Sequence, residues 1–180
     1  MSKDIKWLVL ITGTTSGVGL NTLKPLIRFG WEVIAVNRSN KRAISIAEEF
    51  LTKEEFKNVH FIEIDLSDLD DVREGCNEIL ERFKKPINSL ICNAAVYKPR
   101  LKRPERSPQG FENSMAVNHF WHFLMINLLM ENILSSEREI VLNRKSTLFR
   151  PRITVLGLLR LIIQNLEGGS PSLPQLIWEI

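Results

Sequence analysis

The chain has 180 residues, enough for one domain that buries a core without disulfide or metal staples. Hydrophobic residues make up 44% and charged residues 25%, which excludes a disordered, collagen-like or coiled-coil chain. A net charge of +3 is no footprint of a nucleic-acid protein. Cys76 and Cys92 are the two cysteines, too few for a disulfide framework, so a reducing, cytoplasmic compartment is the expectation. Residues 1–4 run straight into a short apolar stretch with no signal-peptide pattern. No stretch approaches the roughly 20 apolar residues of a membrane span.

Residues 6–12 (KWLVLIT) predict a strand that stops at Gly13. Leu20, Leu23, Leu26 and Ile27 then recur at helical spacing until Gly30. A second strand covers 31–36, a helix 41–57 and a third strand 59–64. Ser67 reads as an N-cap, with Asp68, Asp70 and Asp71 in the first turn of a helix to residue 83. A fourth strand covers 87–92, a long apolar helix 111–134 and a fifth strand 152–156. This alternation specifies βαβ units and an α/β fold with a parallel sheet. Runs such as LVLIT and EVIAV suit strands buried on both faces. Residues 98–106 (KPRLKRPER) hold five basic residues and two prolines and must be a loop. It is either a solvated connection, the simpler reading, or a basic lip for an anionic ligand or membrane surface.

The strongest motif is Thr12-Gly13-Thr14-Thr15-Ser16-Gly17-Val18-Gly19, between a strand and a helix. In such a turn Gly13 permits the tight reversal, Gly17 lets the backbone approach a pyrophosphate, and Gly19 allows close helix packing. The helix N-terminus offers free N–H groups, and Thr14, Thr15 and Ser16 offer hydroxyls. Where an acidic residue would hold a ribose 2′-hydroxyl, the second strand ends in Asn37-Arg38. Arg38 suits a 2′-phosphate, with Arg42 one helical turn on, so NADPH is favoured over NADH. The plainer alternative is a surface arginine that starts a helix.

Together these residues resemble the short-chain dehydrogenase/reductase family, over about residues 5–157. The resemblance implies a Rossmann-type, doubly wound sheet, here incomplete at about five strands. It also implies that Asp65-Leu66 contacts the adenine, that Asn93-Ala94-Ala95 borders the cofactor, and that Asn118 is a catalytic-tetrad residue. The blocks at 92–97 (CNAAVY) and 117–124 (VNHFWHFL) resemble the light-dependent protochlorophyllide reductases. That branch implies light-driven reduction of one double bond of protochlorophyllide, with NADPH giving the hydride, and peripheral contact with a photosynthetic membrane.

Tyr97 is the only tyrosine, and position 101 is Leu101, so Tyr97 does not begin the family's Tyr-x-x-x-Lys pair. It either lines a pigment pocket or packs in a loop. His119 and His122 have no third ligand nearby, so packing or a pigment contact is expected rather than a metal. Cys92 reads as a small core residue. The Ser or Thr that the family places after its fifth strand is missing, since Gly157 runs into Leu158-Leu159-Arg160.

The expected organisation is a cofactor-binding unit at 1–157 and a tail at 158–180 foreign to the family. With suitable codons, residues 158–162 and 170–180 each give family-like sequence in the neighbouring frame, so the tail reads as out of frame. Catalysis by this exact chain is therefore not expected. The competing readings are a non-catalytic NADPH-binding remnant and a short-chain reductase of another substrate.

Overall fold

The computed structural model describes residues 7–98, 103–142 and 152–154. The predicted tail at 158–180, residues 99–102 of the basic segment and the end of the fifth strand lie outside the described residues.

Five strands form one parallel sheet. They are β1 (Leu8–Thr12), β2 (Glu32–Asn37), β3 (Val59–Glu63), β4 (Ser89–Ile91) and β5 (Arg152–Thr154). Their order is β3-β2-β1-β4-β5, the doubly wound order expected from the strand–helix alternation. Every residue of β1 is buried, because helices cover both faces. Leu8 and Leu10 point to a cluster with Val72, Ile79, Met125 and Leu129. Val9 and Ile11 point the other way, to Leu23, Ile27 and Ala47. Such side chains contribute about 1.5–3 kcal/mol each when fully buried.

The helices are α1 (Gly17–Arg28), α2 (Asn40–Phe50), α3 (Lys53–Phe56), α4 (Leu69–Arg82), α5 (Asn113–Met115) and α6 (Trp121–Leu142). Several boundaries differ from the sequence reading, among them the end of the long helix, which runs to Leu142 past the predicted 134, and the fourth strand, which is Ser89–Ile91 instead of 87–92. The predicted helix 41–57 breaks after Phe50, where Leu51 turns extended and Thr52 caps α3. Thr52 and Glu55 form a capping box, with Glu55 N donating to Thr52 Oγ1 at 3.2 Å and Thr52 N to Glu55 Oε2 at 3.0 Å. The N-cap of α4 is Asp68, not Ser67, since the Asp68 carboxylate accepts from Asp70 N. Phe111 stands outside the long helix, in a turn where Ser107 N donates to Phe111 O and Gly110 takes φ 85°.

Between α5 and α6 lies one π-helical turn, Ala116–Phe120, closed by Trp121 N donating to Ala116 O. The extra residue in this turn changes which side chains face the sheet, and such turns recur at functional sites.

Strand order reverses between β1 and β4, which opens a crevice at their carboxyl ends. The two thiols lie in the core below it, and burial pushes both up to about 12. The reacting species is the thiolate. A disulfide reagent at mildly alkaline pH is expected to leave both cysteines unmodified in the native chain and to label both after denaturation. Fast labelling of native Cys92 would contradict its place in the core.

Candidate functional site

β1 ends at Thr12, and the chain turns at Gly13, whose φ of 74° is left-handed. A Cβ there would meet the Ala94 Cα at 2.8 Å. Gly19 lies in the first turn of α1, and a Cβ there would strike the Gly13 carbonyl oxygen and the Asn93 side-chain amide. The start of α1 and the exit of β4 therefore close on the same turn. Ser16 is the N-cap of α1, yet its side chain accepts no capping hydrogen bond, and no acid stands in the first turn. The leading amides of α1 thus keep no side-chain partner and carry the positive end of the helix dipole.

Polar side chains tie this corner together. Thr12 Oγ1 accepts from Asn93 N and Ala94 N, both at 3.0 Å. Asn93 Nδ2 donates to Thr12 O at 3.0 Å and Gly13 O at 2.9 Å. Thr14 N donates to Asn37 Oδ1 at 2.7 Å, and Asn37 Nδ2 donates to Thr14 Oγ1 at 2.8 Å. Asn118 clamps the backbone of Val96, accepting from its N at 2.7 Å and donating to its O at 2.9 Å. His122 Nε2 lies 2.9 Å from Thr12 Oγ1. Desolvation lowers the His122 pKa to about 4, opposed by a hydrogen bond to the Asn118 carbonyl, so the ring is neutral at physiological pH.

Above this scaffold sits a cavity of about 200 Å³. Of the residues singled out in the sequence, Gly13, Thr15, Asn37, Arg38, Asp65, Leu66, Ala94 and Ala95 line it. Four strand ends converge there: β1 through Gly13, β2 through Arg38, β3 through Asp65 and β4 through Ala94. Arg38 is exposed and makes no ion pair with another described residue. Asp65 Oδ1 accepts from Ser67 N at 2.8 Å, and Asp65 N donates to the Asp71 carboxylate, which fixes the loop after β3.

Other sequence candidates fall elsewhere. Thr14 is buried against Asn37 instead of facing outward with Thr15, while Asn93 and Asn118 stand behind the cavity wall in the bonds just given. Ser16, Gly17 and Val18 are exposed at the start of α1. Arg42 is exposed on α2 and does not line the cavity, nor does Tyr97, which is 66% exposed. His119 packs its ring 5.5 Å from Phe120. No group of three or more His, Cys, Asp or Glu side chains fit to hold a metal occurs among the described residues. Nor does any helix among them have the length and apolarity to cross a membrane. Sequence reasoning did not single out Val36, Ile64, Ser67, Val96, Asn113 or Val117 as lining residues. Val36 and Ile64 sit at or just after strand ends, and that position is the signal for them; Asn113 carries none.

The family model described as short chain dehydrogenase matches residues 7–149. The chain belongs to that family. It is 35% identical over 168 residues to a protein named "Protochlorophyllide reductase, chloroplastic" from Cucumis sativus, covering 92% of this chain and 39% of that one. It is 40% identical over 165 residues to the protein of the same name from Pisum sativum, covering 91% and 38%. The chain thus spans about two fifths of the length of these relatives. Among solved structures, an alcohol dehydrogenase from Thermococcus sibiricus complexed with 5-hydroxy-NADP shares 26% identity, with a TM-score of 0.59 over 73% of this chain and 55% of that one. A 3-ketoacyl-(acyl-carrier-protein) reductase from Brucella melitensis complexed with NADH shows the same fold, at 24% identity and a TM-score of 0.57 over 74% and 52%.

Replacing Gly19 by alanine tests the packing of this corner. The added methyl group is expected to cost about 1–3 kcal/mol, since backbone rather than a flexible side-chain end stands in its way. Denaturant unfolding followed by circular dichroism reads the loss. An unchanged midpoint would show that α1 can shift away freely.

Proposed function

We propose that the described residues form the NADPH-binding part of a light-driven protochlorophyllide reductase. The observation that carries this reading is the Arg38 cation, without an ion-pair partner among the described residues, at the β2 end of a cavity that also meets the turn before α1. The residues fit the cofactor. The leading amides of α1 and the Thr15 hydroxyl would hold its pyrophosphate. Arg38 would hold the 2′-phosphate by a charge-assisted, bidentate contact. Asp65 and Leu66, which line the cavity, would border the adenine, and Ala94 and Ala95, which also line it, would border the cofactor. When bound, NADPH supplies a hydride. The chain's own residues bind and orient it, while Asn118 keeps the Val96 end of the wall in place.

The pigment as substrate is supported by the likeness to proteins named protochlorophyllide reductase and by the NAAVY and NHFWHFL blocks. On the same reading the protein acts at or near a photosynthetic membrane surface. Arg103 and Arg106, which follow the cavity wall in sequence, would supply positive charge for that contact, while the charge of Lys98 is paired with Glu105 at 2.6 Å. On this reading the cofactor-binding unit is residues 1–157, and the segment 158–180 lies outside it. A second reading, a cofactor-binding chain without turnover, is favoured by one fact. These 180 residues contain no Tyr-x-x-x-Lys.

Two measurements test the proposal. NADPH fluorescence titration is expected to show binding, and Arg38→Ala is expected to weaken it about 10- to 100-fold while leaving NADH binding unchanged. Equal losses for both cofactors would remove Arg38 from the 2′-phosphate. Under illumination with NADPH and protochlorophyllide, the 180-residue chain is expected to form no chlorophyllide. Turnover would show that the reaction does not need the Tyr/Lys pair.

A further inference from the structure

His122 is buried at 3% exposure, and none of the steps above uses it. Its partner, Thr12 Oγ1, is fully buried and has two lone pairs and one proton. Both lone pairs are taken, by the amides of Asn93 and Ala94 at 3.0 Å each. Only the hydroxyl proton is left for His122 Nε2 at 2.9 Å. Nε2 must therefore be the unprotonated nitrogen of a neutral ring, which places the ring's proton on Nδ1. The Asn118 carbonyl, one turn back along the helix, is the ring's backbone acceptor. The chain of donors thus has one direction: the Asn93 and Ala94 amides to Thr12, Thr12 to His122, and His122 to the Asn118 carbonyl.

We propose that His122 is a positioning residue: by accepting the Thr12 hydroxyl proton it turns both lone pairs of Thr12 toward Asn93 and Ala94, and so fixes the β4 wall of the cofactor cavity. Without an acceptor at 122, the Thr12 proton has no partner in a dry site, and the hydroxyl rotates to seek one. One of the two amides then loses its acceptor, and the wall that Ala94 and Ala95 form loosens. The π-helical turn contributes directly. It carries Asn118, whose side chain grips Val96, and it ends immediately before Trp121 and His122. One irregular turn thereby sets both anchors of the segment 93–96. The inference rests on the reading of the cavity as the NADPH site.

The test uses the full 180-residue chain, with NADPH affinity from fluorescence and the state of the histidine rings from nitrogen NMR. Three histidines make the ring signals assignable by single substitutions. In the unsubstituted chain, His122 is expected to show an unprotonated Nε2 and a protonated Nδ1. His122→Leu is expected to weaken NADPH binding about tenfold. His122→Gln, whose carbonyl oxygen can accept from Thr12, is expected to recover most of that loss. Thr12→Val, which removes the acceptor of both amides, is expected to weaken binding at least as much as His122→Leu, and the double variant no more than Thr12→Val alone. Thr12→Ser, which keeps the hydroxyl, is expected to bind like the unsubstituted chain. A protonated Nε2 overturns the proposal whether or not any variant folds. So does a folded His122→Leu that binds NADPH within twofold of the unsubstituted chain. If the unsubstituted chain binds no NADPH, the reading of the cavity fails instead, and the cofactor role of His122 falls with it.

Discussion

Thr12 ends a strand that helices cover on both faces, so its hydroxyl has no water to turn to. A buried hydroxyl must find its partners within the protein or cost on the order of 1–3 kcal/mol. Thr12 finds three, and they come from two distant parts of the chain: the Asn93 and Ala94 amides at the exit of β4, and His122 on α6. The cavity is built around this requirement. Gly13 follows immediately, its carbonyl receives Asn93, and Gly19 must lack a side chain so that α1 can reach the same point. The buried polar side chains of the corner, Thr12, Thr14, Asn37, Asn118 and His122, are all paired, which holds backbone in place more firmly than apolar contact alone.

The parallel sheet answers a second constraint. A strand buried on both faces cannot alternate polar and apolar residues, so its sequence carries no period of two. Helix periodicity must then mark the layers, and it does: Leu23 and Ile27 on one side, Val72 and Ile79 on the other. The strand order places β1 between β2 and β4. That middle position is why one turn after β1 can meet loops from both neighbours.

Most of this was legible in the residues. The glycine turn, the basic residue after the second strand and the apolar strands each follow from local chemistry, and Arg38, Asp65 and Ala94 meet at one cavity. What escaped depends on partners far along the chain. The Thr12–His122 contact joins residues 110 positions apart, and neither residue announces the other. The π-helical turn leaves no simple pattern, since Ala116 to Phe120 reads as ordinary apolar helix. Thr14 faces inward because Asn37 offers both an acceptor and a donor at the right height, which no turn motif encodes. The break at Thr52 was readable: Thr52-Lys53-Glu54-Glu55 is a capping box in plain sequence, masked by the helical periodicity around it.

The convergence of four strand ends on one cavity has a thermodynamic consequence. Each wall comes from a separate crossover, so the cavity exists only when β1, β2, β3 and β4 are in register together. A molecule held there binds the assembled sheet and none of its parts. Its free energy of binding therefore acts on the folding of the whole unit, adding about 2.7 kcal/mol at a concentration one hundred times its dissociation constant. Occupancy of this site and integrity of the sheet are, in that sense, a single equilibrium observed from two ends.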